Sequence, residues 1–344
     1  MTMKEVSAVV VSHRSAAEAA TAVASLRRAV EEAGVSGEVV LVDCGSGPEE
    51  LPALQSAAAD RLLSIENRGY SGGVNAGIAA SRGRLLLLCN ADVEIAPGAL
   101  APLLAAAARP ETGAAAPVQH ADSAGRILLP TGFGAGFGRD LGQAFGNFGG
   151  AARRFARRAR DEWRLWTEGG ETDYLAGSIL ATRREVLDRV GRFDERFPFE
   201  FEETEWEDRI RAAGFRLLVV AGSRARHAAG ISASRNPETA ARRSASRSFY
   251  RRRRYGRAGA ALLAAAETIL SSAPAAPPLT GIPARGAEWA AAFSPNPSVL
   301  PFAGVSLAAS VDAREIAAVL GGAMYVRVFR TADGRPEPIA RALP

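Results

Sequence analysis

Cysteine is nearly absent from this chain: its 344 residues hold two, Cys44 and Cys89, each ending an apolar strand-like run. There is no CxxC pair and no cysteine cluster, which excludes a disulfide scaffold and a thiolate metal centre, so both thiols read as reduced core residues. Histidine is also scarce; His13 and His120 take the structural role that an isolated histidine most often has. No uncharged run reaches the length of a membrane span, and the nearest, around residues 258–275, is interrupted by Glu267. The opening MTMKEVSAVVVSH enters a strand almost at once, with too short an apolar run for a signal peptide. Neither a GxGxxG nor a Walker A loop occurs. These absences lead to the expectation of a cytoplasmic protein.

What remains is ordinary globular material, 47% hydrophobic and 23% charged, long enough for one large domain and an accessory piece. The net charge of +5 hides a local excess, because arginines crowd into residues 153–164 and 242–257. Such runs suit nucleic acid, an anionic membrane or a phosphorylated substrate, and a solvated basic face is the plain alternative.

The informative stretch is LLLLCNADVE, residues 85–94. Four leucines and a cysteine make a run of the length expected for a strand buried on both faces, and it stops at Asn90-Ala91-Asp92. A carboxylate therefore sits at the carboxyl edge of a central strand, where ligands bind in open α/β sheets. Asn90 and Asp92 can both direct oxygens at one hard cation and the diphosphate it carries, although an Asn/Asp turn closing a strand is an equally simple reading. Upstream, Val6 to Val11 reads as a first strand, Ser15 as the N-cap of a helix over 16–33, and Glu38 to Val42 as a second strand ending at Asp43. A third segment, Leu62 to Glu66, leads into NRGYSGGVNAG. Its glycines are expected in a loop entering a helix, where backbone N–H groups can approach a phosphate.

In this order and at these distances, VVVSH, LVDCGSG, NRGYSGGVNAG and LLLLCNADVEI resemble the nucleotide-binding half of glycosyltransferase family 2. The resemblance implies the GT-A fold, a Rossmann-like, mainly parallel mixed sheet flanked by helices. The second half continues it: Asp173 to Leu180 matches the strand on the sugar and acceptor side, with Gly177 and Ser178, and Phe193-Asp194-Glu195 matches a following turn. FPFEFEETEWEDRIRAAGF then lies on the family's signature, with Glu202-Glu203 on its Glu-Asp pair and Glu205 on the next acidic position. His227 fits a histidine that completes the metal site in several members.

The domains expected are residues 1–235 as the transferase domain, 236–270 as a basic helical extension, and 271–344 as a Pro/Ala-rich linker with a small terminal segment. The resemblance implies inverting transfer from a nucleotide-diphosphate sugar to a hydroxyl of a cell-surface glycan or lipid-linked acceptor, in the rhamnosyltransferase-like branch. Ser12, Asp43, Asn67, Gly69, Gly72, Asn75, Asn90 and Asp92 would hold the donor, and Asp92 and His227 a divalent manganese or magnesium ion. Glu203 would be the general base beside Glu202, with Gly177, Ser178 and Glu205 facing the acceptor. The arginine-rich helix would touch the inner face of an anionic membrane. Glu203 stands where the family usually has aspartate, which keeps open a degenerate homologue that binds glycan or nucleotide without catalysis. A nucleotidyltransferase lacks support because VVVSHRSAAEAA has no glycine-rich loop, and no nucleic-acid reading motif is present.

Overall fold

Short runs of Val and Leu, too brief for helices, build the centre of the protein. The computed structural model describes residues 3–132, 136–144, 151–228, 239–270, 288–294, 304–307, 319–320, 324–334 and 340–342. The first four strands are β1 (Lys4–Ser12), β2 (Gly37–Cys44), β3 (Arg61–Ile65) and β4 (Gly83–Asn90), joined by α1 (Ala16–Glu32), α2 (Leu51–Ser56) and α3 (Gly69–Ala80). They lie parallel in the order β3-β2-β1-β4. Parallel neighbours need a crossover, and each crossover here contains a helix.

The chain continues through β5 (Val93–Ile95), α4 (Leu100–Ala107), β6 (Thr112–His120), α5 (Phe137–Ala144) and α6 (Ala151–Thr167). Then come β7 (Gly170–Thr172), β8 (Ile179–Arg183), α7 (Arg184–Val190), α8 (Glu202–Ala212) and β9 (Arg216–His227). β8 pairs antiparallel with β4, and both β5 and β7 pair antiparallel with β9. The product is the mixed sheet, parallel through its first half, that the sequence predicts, in the order β3-β2-β1-β4-β8-β6-β9-β5 with β7 beside β9.

Both faces of β1 are covered, which explains its unbroken valines. Ala8 and Val10 join the core built with α1 and α4, while Val9 and Val11 meet α3. This second contact corrects the reading of the glycine-rich segment. Gly72, Gly73 and Gly77 are not in a loop: α3 begins at Gly69, and Gly73 and Gly77 let it press onto the sheet. A Cβ on Gly73 would sit 2.6 Å from Val11 Cγ1, and one on Gly77 only 2.2 Å from Val9 Cγ1. Gly77→Val should therefore destabilise the fold by about 3 kcal/mol, since overpacking of this kind is costly and valine gives little helix propensity in return. A fall in the urea midpoint with unchanged m-value checks it; an unchanged midpoint contradicts it.

Ser15 does not cap α1 through its side chain. Its hydroxyl pairs with Ser12 Oγ at 3.1 Å, and the Ala16 N–H is capped from a distant segment by Glu50 Oε2 at 2.7 Å. Cys44 and Cys89 are free and buried; burial, with the charge of Asp43 adding, pushes the Cys44 thiol up to about 11, so it stays protonated.

The chain divides into two compact units, Met1–Val118 with Gly169–Tyr250, and Gln119–Glu168 with Arg251–Pro344. These bounds differ from the three consecutive segments read from the sequence. The second unit contains a four-stranded sheet ordered β11-β10-β12-β13, formed by β10 (Trp289–Ser294), β11 (Gly304–Leu307), β12 (Met324–Arg330) and β13 (Ala340–Ala342). The segment 289–294, expected to be linker, is a central strand: Ala290, Ala291, Ala292 and Phe293 are all fully buried, and alanine-rich composition concealed it. The rest of residues 271–301, apart from Glu288, lies outside the described residues.

The two arginine runs are not simply solvated faces. In α6, Phe155, Ala159, Glu162 and Trp166 form a buried stripe at helical spacing, and Phe155 meets Phe329 edge-on at 5.7 Å. The long basic helix α9 (Thr239–Leu270) breaks at Gly256, with φ 72°. Arg251 and Glu267 are sixteen residues apart, roughly 24 Å along a straight helix, yet they form a bidentate ion pair at 2.9 and 3.0 Å. The helix folds back on itself there, and Arg251 is buried against Glu267 and Asp140. Among the described residues no helix is long and apolar enough to cross a membrane.

Candidate active site

Register brings three predicted residues to one edge. Ser12 lies opposite Asp43 across β1 and β2, and Val11 lies opposite Asn90 across β1 and β4. Ser12, Asp43 and Asn90 thus end three adjacent strands at the carboxyl edge of the sheet, the side on which α/β proteins bind ligands. Asp43 is buried and its Oδ1 accepts the Ser46 N–H at 3.1 Å, fixing the turn after β2. His13 donates from Nδ1 to the Cys44 carbonyl at 2.8 Å and receives Asn67 Nδ2 at 3.4 Å on its other nitrogen, which ties three loops together. Arg14 beside it holds a left-handed φ of 53°, a strained state for a residue with a Cβ and a frequent mark of a binding site.

The residues of the third segment divide between two roles. Asn67 Oδ1 accepts the Gly69 N–H at 3.0 Å, capping α3. Asn75 binds a distant turn: it receives the Phe193 N–H, donates to the Phe193 carbonyl and reaches Glu195 Oε1 at 3.0 Å. With the Arg68 to Glu195 ion pair at 3.0 Å, it fastens the Phe193-Asp194-Glu195 turn to α3.

Asp92 follows β4 and precedes β5, whose Val93 stands opposite His227 on β9. The pairing places His227 Nε2 3.4 Å from Asp92 Oδ1, and the Ala228 N–H donates to the Asp92 carbonyl at 3.1 Å. Burial works to raise the Asp92 carboxyl, but the hydrogen bond and charge of His227 outweigh it and hold the group below the ordinary carboxylate value. It is an anion throughout the neutral range. Asn90 donates its backbone N–H to the Ser178 carbonyl at 2.8 Å, which brings the segment before β8 to the same edge.

That segment carries Gly177, and an added Cβ there would lie 2.7 Å from Glu203 Cγ and 2.9 Å from Glu203 Cβ. Glu203 is packed against bare backbone. It begins α8 with Glu202, after two consecutive non-glycine residues in the left-handed region, Glu200 at φ 62° and Phe201 at φ 69°. Glu202 is 6% exposed and its Oε2 has no hydrogen-bond partner. Burial drives both carboxyls upward, helped at Glu202 by the charge of Glu203, and Glu203 is raised to about 7 although backbone N–H groups of the helix start oppose this. A group of that acidity changes protonation near neutral pH, as a general base should. Glu205 is placed differently: it is bound by Arg209, which also donates to the Val190 and Arg192 carbonyls.

Residues 7–188 match the sequence profile of Glycosyl transferase family 2. The chain belongs to that family. The N-acetylglucosaminyl-diphospho-decaprenol L-rhamnosyltransferase of Mycobacterium tuberculosis is 30% identical to it over 220 residues, covering 58% of this chain and 69% of the relative. Two solved structures are also similar. GalNAc-T7, with UDP, GalNAc and Mn2+, shows 19% identity and a TM-score of 0.44 over 66% of this chain, which spans 44% of that structure. The mannosyltransferase PcManGT of Pyrobaculum calidifontis, with GDP-Man and Mn2+, shows 17% identity and a TM-score of 0.46, covering 80% of this chain and 77% of its own.

A metal in this family 2 site must fit the donors present. Among the described residues no group of three or more His, Cys, Asp or Glu is placed to hold a metal ion. The set at the edge is Asp92 and His227, already within 3.4 Å of each other. Two protein donors suit a divalent cation that completes its shell with substrate phosphates and water, rather than one in an all-protein cage.

Two residues near this family 2 edge were not singled out in the sequence. Tyr70, at the start of α3, has a hidden hydroxyl with no hydrogen-bond partner. Burial raises it well above its ordinary value, with the charges of Cys89, Glu202, Glu203 and Asp92 adding. It is a neutral donor surrounded by acids. Glu207, one turn after Glu203, is fully buried; its Oε1 accepts the Leu175 N–H at 3.1 Å, and burial with the Glu203 charge raises it strongly. The available signal was its position between Trp206 and Ile210, on a helix stripe that the apolar spacing assigns to the core.

Proposed function

We propose that the chain catalyses inverting transfer of a sugar from a nucleotide-diphosphate donor, dTDP-rhamnose or a UDP-sugar, to a hydroxyl of a cell-surface glycan or lipid-linked acceptor. The observation that carries this reading is the pairing of Asp92 and His227 on the same sheet edge to which Asn90 draws the Gly177-backed Glu203. Ser12, Asp43 and Asn67 hold the nucleoside. Asp92 and His227, with Asn90 beside them, hold a divalent ion, which when bound offsets negative charge on the leaving diphosphate. Glu203 takes the acceptor hydroxyl proton as that oxygen attacks the anomeric carbon from the face opposite the diphosphate. Tyr70 keeps its proton and offers an unengaged neutral hydroxyl among the acids. The rhamnosyl donor is favoured because the relative that is 30% identical carries that name.

Two buried carboxyls of α8, Glu202 and Glu207, each with an oxygen that has no hydrogen-bond partner, support catalysis over passive binding, because uncompensated buried acids destabilise a fold. The exposed arginines 252–254 of α9 suit peripheral contact with an anionic membrane. The test is incubation with the donor panel and N-acetylglucosaminyl-diphospholipid, with the product anomer read by NMR. The expected product carries the inverted anomeric configuration; a retained configuration, or no turnover of any donor by folded protein, counts against the proposal.

A further inference from the structure

We infer that the first half of α9 is a clamp that aims Glu202 and Glu203, with Arg243 as its positioning residue; the functional half of this inference rests on the transferase reading above. The segment to be held is Phe197 to Phe201, which delivers the chain to α8. Glu200 and Phe201 are both left-handed, at φ 62° and 69°, and two such residues in succession persist only where their surroundings over-determine them.

α9 supplies those surroundings from one face. Residues 243, 246, 249 and 250 fall at i, i+3, i+6 and i+7, the spacing of a single helical stripe. Arg243 grips Glu200 with a two-pronged ion pair, Nε to Oε2 at 2.7 Å and Nη2 to Oε1 at 2.6 Å, and its guanidinium lies 5.8 Å from the Phe199 ring. Ser246 Oγ, fully buried, accepts the Phe199 N–H at 3.1 Å. Phe249 meets Phe197 edge-on at 4.9 Å. Tyr250 packs 5.5 Å from Phe201 and donates its hydroxyl to Asp208 Oδ2 on α8 at 2.7 Å. Asp208 also accepts from Tyr174 and Arg211, so the far end of the stripe is anchored to the helix that bears the acids.

An exposed ion pair by itself stabilises little, and Arg243 is half exposed. Its planar fork instead fixes the direction of Glu200 within the strained turn, which a lysine cannot do. Misplacing a reacting group by about 1 Å can cost on the order of 100-fold in rate.

The experiment compares wild type, Arg243→Glu, Arg243→Lys and the exchanged pair Glu200→Arg with Arg243→Glu. The clamp predicts that Arg243→Glu lowers kcat by about 10- to 100-fold with donor KM and nucleotide affinity unchanged. Arg243→Lys should fall between, and the exchanged pair should recover most of the loss. An unaltered kcat in Arg243→Glu, or a loss that the exchange fails to restore, overturns it. Amide hydrogen exchange across residues 199–204 gives a readout independent of turnover. It should quicken in Arg243→Glu and slow again in the exchanged pair; unchanged exchange refutes the clamp whatever the activity. Altered exchange in a protein that moves no sugar refutes the transferase reading and leaves the clamp standing.

Discussion

Glu203→Gln should lose roughly 100- to 10,000-fold in kcat, the usual contribution of a general base, and at the same time become more stable than wild type at alkaline pH. Both effects come from one fact. Burial raises the Glu203 carboxyl from 4.5 to about 7, and the charge of Glu200 adds to this. For activity, the base must be ionised, so kcat should climb as pH rises through about 7 and the climb should vanish in Glu203→Gln. For stability the sign is opposite. A carboxyl whose folded value exceeds its unfolded value binds its proton more tightly when folded. Its contribution is complete below pH 4.5 and is lost as pH rises through about 7. Glutamine removes that loss. Thermal unfolding of the two proteins at pH 5 and pH 8 checks it: the gap in favour of Glu203→Gln should open at pH 8. A variant that is inactive and also less stable at pH 8 would mean that Glu203 is structural.

Gly177→Ala is expected to lower kcat by about 100-fold while leaving nucleotide affinity near wild type. The new methyl would stand 2.7 Å from Glu203 Cγ and 2.9 Å from its Cβ, closer than carbon atoms approach. Glu203 is held from behind by the first turn of α8 and cannot simply slide along the segment, so its carboxylate must swing. The proposed nucleoside contacts Ser12, Asp43 and Asn67 belong to other strand ends and loops, away from the new methyl. Steady-state kinetics with direct nucleotide titration separates the two. A raised Kd for nucleotide with unchanged kcat would place Gly177 on the donor side instead.

The parallel half of the fold was legible because its strands are buried on both faces, and continuous Val and Leu runs say so without ambiguity. Asp92 was singled out because it follows an apolar strand, and Glu203 because the stretch around it resembles the family's acidic signature; the roles given to both are proposals. What escaped was long-range and depended on backbone contact. Gly73 and Gly77 of α3 signal close approach, and only the structure shows that their neighbours are Val11 and Val9. Asn75 had the residue type of a ligand contact but spends its amide on the Phe193 turn. Glu205 matched an acidic signature position and is committed to Arg209. In α9, arginine count masked the Ser246, Phe249 and Tyr250 stripe, and the Gly256 break that buries Arg251 left no mark beyond a single glycine. Segment 289–294 failed for composition alone, since Ala-rich strands look like linker until their antiparallel partner at 324–330 is known.

The most direct measurement is calorimetric titration of UDP, dTDP and GDP, each with and without manganese, into wild type and Asp92→Ala. Tight binding of one nucleotide that requires manganese and disappears in Asp92→Ala, with the variant still folded by circular dichroism, is the predicted result. Binding that ignores manganese and survives the loss of Asp92, or no nucleotide binding by the folded wild type, would contradict the assignment of this sheet edge as the donor site.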